Sequence, residues 1–402
     1  MSAAGGLIAL EEAQARLFAL VQPRPIVSVP LSHAIGHALA EPLIAKRSQP
    51  AAALSAMDGY AIRWADMRGP WQVVGESAAG RPYAGTVVSG EAARISTGAI
   101  VPDGADTVLV QEDCARNGDT LTLTGDGPAG MGSHIRKAGN DFAEGTVLAE
   151  AGAVIDARLV ALAAMAGHGE LAVRQKVRVA ILSTGDELVQ PGDPLPSPAH
   201  IPASNGMMLA AMLAGLPVDA ITPPLVPDSL DAIGAAIAGA STADIIVTTG
   251  GASVGDHDLV QPALVQEGGS VNFWKIAMRP GKPVMVGTLG QSIVLGLPGN
   301  PVSAYVTALL LLLPLVRTMA GNASPLPRIH SAPATEALAA NGNRQDFMRA
   351  RLIDGALVPV GNQDSGALSG LLSADALIIR PAHCAAAAPG EPLPYIALHH
   401  GA

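Results

Sequence analysis

Asp244-Ile-Ile-Val-Thr-Thr-Gly-Gly-Ala-Ser-Val-Gly-Asp-His-Asp258 decides how this chain is read. The apolar run Ile245, Ile246, Val247 has the length and branching of a buried strand. Thr248 and Thr249 close it, and the glycines Gly250 and Gly251 follow. Ala252, Ser253 and Gly255 keep the next segment small, and the carboxylates of Asp256 and Asp258 come directly after. A strand that runs into a small-residue loop brings bare backbone N–H groups up to an anion, and neighbouring acids suit a hard cation. The stretch therefore points to a phosphorylated small molecule and to an enzyme.

On either side, residues 176–323 alternate strands (177–182, 244–248, 284–286, 293–295) with helices (205–215, 229–240, 257–267, 301–313). That is the pattern of an α/β domain with a mostly parallel sheet. Two further loops also follow strands: Ser183-Thr-Gly-Asp-Glu187 and Leu297-Pro-Gly-Asn-Pro-Val-Ser303. Ligands of open α/β sheets bind at that carboxyl edge. Ser183, Thr184, Gly185, Gly250, Gly251, Ser253 and Gly255 offer donors without bulk. Asn300 is expected to cap the next helix, with Pro301 in its first turn and Pro298 and Ser303 in the same loop. The helix N-terminus would then favour negative charge. Glu187, Asp256 and Asp258 are the expected metal set, hard oxygen ligands suited to Mg²⁺. Trp274-Lys-Ile-Ala-Met-Arg-Pro-Gly-Lys282 adds the cations Lys275, Arg279 and Lys282. Singly, Thr-Gly-Asp-Glu is most often a turn with a helix cap, and Pro-Gly-Asn-Pro a common turn. Gathered at one sheet edge, these loops make a crevice.

The whole chain has 402 residues and a formal net charge of −10, so positive charge must be gathered locally at such a site. No dense Lys/Arg run is present, which argues against nucleic-acid and anionic-membrane partners. The two cysteines, Cys114 and Cys384, support neither a disulfide framework nor a zinc site. His134, His168 and His257 lack metal-ligand spacing. Residues 6–22 read as an amphipathic helix and not as a signal peptide, so a cytoplasmic location is expected. The apolar run 304–316, interrupted by Pro314, is expected to be a buried helix too short to cross a bilayer.

A helix is also predicted over 33–40, and another over 156–166 with Asp156 as its N-cap. Short strands at 71–74, 86–88, 107–111 and 121–123 predict a β-rich region, and those at 347–352, 357–360, 376–379 and 395–398 a small C-terminal barrel or sandwich. The expected division is 5–50 with 137–175 as an N-terminal linker and dimerisation domain, 51–136 as a β-rich domain, 176–323 as the α/β domain and 324–402 as the C-terminal β domain. Asp58-Gly59, within Ser55-Ala-Met-Asp-Gly-Tyr60, is open from composition to being merely a hairpin turn, and composition alone does not say whether it reaches the crevice.

Ser55-Ala-Met-Asp-Gly-Tyr-Ala, Arg94-Ile-Ser-Thr-Gly-Ala, Ser183-Thr-Gly-Asp-Glu-Leu, Ser204-Asn205, Gly250-Gly-Ala-Ser-Val-Gly, Phe273-Trp-Lys, Arg279-Pro-Gly-Lys-Pro and Leu297-Pro-Gly-Asn-Pro-Val-Ser occur in that order. Phe347-Met-Arg349 and Gln363-Asp-Ser-Gly366 follow. The ordered set resembles the molybdopterin molybdenumtransferase family, MoeA and the gephyrin E domain. The resemblance implies an elongated four-domain subunit with an α/β molybdopterin-binding domain. It also implies a homodimer whose active site is shared between subunits, with Asp58 and Thr97 completing the site of the partner. The implied reaction inserts molybdenum from molybdate into adenylylated molybdopterin, with release of AMP and help from Mg²⁺. Glu187, Asp228 and Asp258 would handle metal and water, Asp58 would help place the molybdate or the attacking group, and Pro298 and Pro301 would shape the molybdate pocket. Arg279 stands where the family often has lysine, and Ala203 where an acid is common. The alternatives are a molybdopterin-binding scaffold with little turnover, or another enzyme on the same domain, either the adenylyltransferase of the preceding step or a nucleotide-processing hydrolase.

Overall fold

The structure is a computed structural model that describes residues 7–250 and 259–398. The first helix, α1 (Leu10–Phe18), buries Leu10, Ala13, Gln14 and Leu17, the spacing of one helical face. The chain then pairs with a later stretch of itself: Ile26–Pro30 runs antiparallel to Glu170–Arg174, and Leu43–Ile44 to Val147–Ala149. Leu39, Leu43, Ile155, Leu171 and Val173 form the core between them. The helix predicted over 33–40 is absent; a single tight turn, Leu31–His33, stands there. Its would-be helical donors are taken by the returning chain: Gly36 N–H to Ile155 O at 3.0 Å, Leu39 N–H to Ala153 O at 2.9 Å and Ala40 N–H to Ala172 O at 2.9 Å. Helix α2 (Ala157–Met165) is capped as expected, with the Asp156 carboxylate accepting from the N–H groups of Arg158 and Leu159.

The β-rich region is a six-stranded sheet in the order Thr107–Val110, Gly59–Ile62, Glu91–Ile95, Trp71–Ser77, Thr120–Leu123, Cys114–Asn117. No strand forms at 86–88; Val87 gives its N–H to Asp103 O at 2.8 Å, a loop carbonyl, and the true strand starts at Glu91. Asp58-Gly59 is not a hairpin turn: Gly59 opens a central strand, flanked in register by Ile95 and Val110.

The α/β unit carries the strands β1 (Val177–Ser183), β2 (Val218–Ile221), β3 (Ile245–Thr249), β4 (Ser270–Lys275), β5 (Pro283–Leu289) and β6 (Ser292–Leu297), in the order β2-β1-β3-β6-β5-β4. The first four in that order are parallel, and β5 and β4 add an antiparallel margin. β2 and β4 were missed in the sequence; β2 has a mostly exposed burial pattern, and both lie at sheet edges, where apolar patterning is weak. Along β1, Val177, Val179 and Ile181 enter one core while Ala180 and Leu182 enter another. The helices α3 (Ser204–Leu213) and α6 (Pro301–Met319) cover the first face together with α1; α4 (Leu230–Gly239) and α5 (Val260–Gln266) cover the second. From β1 the chain first adds β2 on one side and then β3 on the other, so the direction of winding reverses between β1 and β3. Ligand crevices in such sheets open at this switch point.

Helix α6 corrects an expectation. It passes through Pro314 without a break, is long and apolar enough for a membrane span, and has 83% of its most apolar stretch buried inside the protein. Residues Ala308–Leu312 widen into a π-helical turn just before the proline. Pro314 has no N–H to give to the carbonyl four residues back, that of Leu310. The buried Gln14 side chain of α1 supplies the missing donor, Nε2 to Leu310 O at 2.9 Å. Gln14→Leu removes the donor and leaves that carbonyl unsatisfied, so it is expected to destabilise the protein by about 1–3 kcal/mol. A thermal midpoint unchanged from wild type would show that water or a π-helical N–H already serves Leu310.

The C-terminal region runs Met278–Arg279, Gln345–Ile353, Ala376–Arg380, Pro392–Ala397, His330–Pro333, with Ala356–Pro359 also paired to Gln345–Ile353. A bridge between Ala334 and Leu357 joins its ends into a barrel-like closure. Its first strand comes from the α/β unit, so the segment carrying Arg279 is hydrogen-bonded into the C-terminal sheet.

Candidate active site

Ser183, Thr249 and Leu297 stand side by side in register at the carboxyl ends of β1, β3 and β6, so the three glycine-bearing loops do share one edge. All three border a crevice of about 250 Å³ at the switch point, lined by Ser183, Thr184, Glu187, Asn205, Gly250 and Pro301 among others. Gly250 has φ 98, and a Cβ there would stand 3.1 Å from Thr184 O. Gly185 has φ 151, and the Glu187 carboxylate folds over it, with Oε2 2.5 Å from where a Cβ would be. Glu187 is exposed and has no cationic partner among the described residues. A Cβ on Gly206 would stand 2.7 Å from Ser183 Oγ, so α3 begins hard against β1. At its start Ala203 provides no side-chain cap, and Ala203, Ser204 and Asn205 line the crevice. Asn205 donates to Gly299 O at 2.7 Å, and its buried Oδ1 accepts from nothing among the described residues. Asp228 does not line the crevice; it lies in the turn before α4, its N–H held by Asp186 Oδ1 at 3.0 Å.

A second cleft, of about 440 Å³, lies where the C-terminal sheet meets the α/β unit. Arg279, Lys282 and Ser303 line it together with Arg344, Asp346, Arg349 and Ser365. Gly281 has φ 96, and any Cβ there would be 2.4 Å from Thr307 Cγ2, so this glycine lets the Arg-Pro-Gly-Lys turn lie on α6. Arg349 is 1% exposed, and its guanidinium is fixed by the carbonyls of Ala367 and Asp364, each at 2.9 Å. Burial pulls its pKa down from the ordinary arginine value, with Asp364 opposing. Arg279 pairs with Asp346.

The single crevice expected from the sequence is thus two adjoining ones. Ser183, Thr184, Glu187, Gly250 and Pro301 line the first, and Arg279, Lys282 and Ser303 the second. Lys275 ends β4 at the same sheet edge but lines neither, being three strand spacings, about 14 Å, from β3. Pro298 directly follows β6 in the loop between the two. Asn300 occupies the N-cap position of α6 but does not cap it; its Nδ2 donates to Ser365 Oγ at 3.0 Å, and Val302 N–H goes to Ser365 O. That helix end is therefore partly spent on the C-terminal region. Gly251, Ser253, Gly255, Asp256, His257 and Asp258 lie outside the described residues, so of the expected metal set Glu187 alone can be located. Among the described residues no cluster of three or more His, Cys, Asp or Glu side chains is poised for a metal.

Asp58 and Thr97 meet in the β-rich sheet. Asp58 Oδ1 accepts from Thr97 N–H at 2.6 Å and from Thr97 Oγ1 at 3.0 Å. These two bonds, the backbone one first, hold the carboxyl below the usual aspartate range. Both residues are exposed, and neither lines the two clefts. Arg344, Asp346, Arg349 and Ser365 were not singled out as site residues in the sequence. The available signal was charge inside an apolar strand, at Asp346 and Arg349 of Gln345-Asp-Phe-Met-Arg-Ala350.

Comparison with known proteins fits this architecture. Residues 8–167 match the MoeA N-terminal region (domain I and II), 180–318 a probable molybdopterin binding domain and 331–398 the MoeA C-terminal region (domain IV). A molybdopterin molybdenumtransferase of Haemophilus influenzae is 37% identical over 348 residues, covering 85% of each chain. The chain belongs to the molybdopterin molybdenumtransferase family. Another member, molybdopterin molybdenumtransferase 2 of Mycobacterium tuberculosis, is 35% identical over 92% of this chain and 94% of its own. The molybdopterin biosynthesis MoeA protein of Pyrococcus horikoshii superposes with a TM-score of 0.84 at 25% identity, covering 98% of this chain and all of its own. The three matched regions thus span most of the described architecture.

Proposed function

We propose that this protein inserts molybdenum from molybdate into adenylylated molybdopterin, releasing AMP, as a homodimer. One observation carries the reading: the loop after β6 and the first turn of α6 wall both clefts. Gly299 and Pro301 line the switch-point crevice, and Val302 and Ser303 line the cationic cleft. A phosphorylated heterocycle in one and a small tetrahedral oxyanion in the other would be neighbours. In the crevice, the uncapped N–H groups of α3 and the Ser183 and Thr184 hydroxyls suit phosphate oxygens, and Asn205 Oδ1 suits an N–H of the heterocycle. In the cleft, Lys282, Arg344 and Arg349 gather the positive charge that an oxyanion needs in a protein of net charge −10.

Glu187, exposed at the crevice and unpaired with any cation among the described residues, is a fitting hard ligand for Mg²⁺, with Asp256 and Asp258 proposed beside it. Bound there, the ion would neutralise phosphate charge and polarise the phosphoryl group. The residues themselves orient the two substrates, and Asp58, ionised and held by Thr97, is available to place an attacking group. Asp58 and Thr97 form a finished pair that lines neither of the two clefts, which supports a site completed by a second copy. Ile35, Ile44, Val147, Val154 and Met165 leave large apolar surface exposed on the N-terminal region, and Ile44 faces Val147 across a strand pair; this supports the homodimer.

The test is direct. With adenylylated molybdopterin and Mg²⁺, AMP should appear only when molybdate is added, together with active cofactor. No AMP above background, with substrate still bound, would leave a scaffold that binds without turnover.

A further inference from the structure

Resting on the reading of the second cleft as the oxyanion site, we propose that Asp346 is a built-in stand-in for the substrate, which molybdate displaces from Arg279, so that oxyanion binding takes up a proton. The carboxylate lies on the strand Gln345–Ile353 with its side chain 6% exposed, and it lines the cleft beside the cations. Among the described residues, the Arg279 guanidinium is its partner. Arg279 keeps a side chain 60% exposed, so it is free to swing toward the cleft.

The other charged groups around Asp346 cannot replace that partner without loss. Arg380 lies opposite Asp346 on the neighbouring strand, but its Nη2 is given to the carbonyls of Ala339 and Ala385. Arg349, three residues along the same strand, is spent on Ala367 O and Asp364 O. Arg344 and Lys282 have no carboxylate partner among the described residues and line the cleft itself, where an anion would engage them. Asp364 adds a further negative charge at the rim.

A dianion entering this space meets a buried carboxylate. If Arg279 turns to the newcomer, Asp346 is left desolvated, unpaired and beside two negative charges. Each of these raises the proton affinity of a carboxyl. The protonated Asp346 then donates its O–H to an oxyanion oxygen and the repulsion disappears. By linkage, the proton is bound more tightly in the complex than in the free protein, so affinity for a fully deprotonated oxyanion rises as pH falls through the pKa of the complex. An oxyanion that brings its own proton needs no such step, because its O–H donates to an ionised Asp346. The cleft should therefore treat molybdate and sulfate alike in proton uptake and treat monohydrogen phosphate differently.

Titration calorimetry on the full chain, repeated at one pH in buffers of different ionisation enthalpy, counts the protons. Sodium molybdate and sulfate should each take up about one proton per anion bound, and phosphate close to none. Asp346→Asn should abolish the uptake and tighten molybdate by about tenfold, the scale of one charge-assisted hydrogen bond. Lys282→Gln should weaken all three anions, which ties the heat to this cleft. Molybdate binding that is sensitive to Lys282→Gln but takes up no proton overturns the role of Asp346 and leaves the oxyanion cleft standing. Heats unaffected by Lys282→Gln, or no binding at all, overturn both. The proton count is read on the wild-type protein, so it decides the matter even if the Asp346 variant does not fold.

Discussion

Gly59→Ala should unfold the β-rich sheet. The added Cβ would stand 1.7 Å from Leu109 O and 2.8 Å from Leu109 C, in the backbone of the adjacent strand. No side chain can move aside, because the obstacle is a carbonyl held in register between Tyr60 and Val110 pairings. Inserting one methyl group into well-packed space costs about 1–3 kcal/mol, and a clash with sheet backbone belongs at or above the top of that range. Gly59 also gives its carbonyl to Arg94 at 3.0 Å, so the bond that steadies Arg94 beside Tyr60 should go with it. Thermal unfolding followed in the whole protein, with Gly80→Ala as the control because a Cβ there meets nothing within 4 Å, reads the difference. Since Gly80 has φ 75, the control carries its own strain, and Gly59→Ala must exceed it clearly. Equal midpoints for the two would mean that the strands part easily at Leu109.

Asp58→Asn should leave that sheet intact and remove turnover. The amide oxygen can still accept from Thr97, so folding is preserved while the negative charge is lost. If Asp58 handles the attacking group, kcat should fall by about 10²–10⁴-fold with substrate binding little changed. Thr97 holds the carboxyl below the usual aspartate range, so the wild-type contribution of Asp58 should be fully present above an ordinary aspartate pKa of about 4 and be lost only as the pH falls through the lower native value. The proposed homodimer with a site shared between subunits allows a sharper test. Asp58→Asn and Lys282→Gln each damage every site of their own homodimers. Unfolded and refolded together, they form mixed dimers in which one site receives both wild-type residues. About a quarter of wild-type activity should then return in a random mixture. Activity that stays at the level of the two parents would place Asp58 and Lys282 in the same subunit's site or in none.

Much of this was legible because the carboxyl edge of a parallel sheet is written locally. Ser183-Thr-Gly, Thr249-Gly and Leu297-Pro-Gly each announce the end of a buried strand, and parallel pairing sets them in one row. The division of that row into two cavities was not legible. It depends on Ser365, more than sixty residues away, taking the Asn300 side chain and the Val302 N–H. Nor could the segment 33–40 announce that its amide donors would serve Ile155, Ala153 and Ala172 instead of a helix, because those carbonyls arrive over a hundred residues later. The passage of α6 through Pro314 hangs likewise on Gln14, a polar residue on an otherwise apolar face whose purpose only the packing discloses.

The strand Met278–Arg279 runs alongside Gln345 and Asp346 as their backbone neighbour. The last seventy or so residues are thus a mould against which the Arg-Pro-Gly-Lys turn is cast. A chain cut short at Pro325 would keep every lysine and arginine of that turn in its sequence and still lose the backbone partner that shapes them into the proposed receptor.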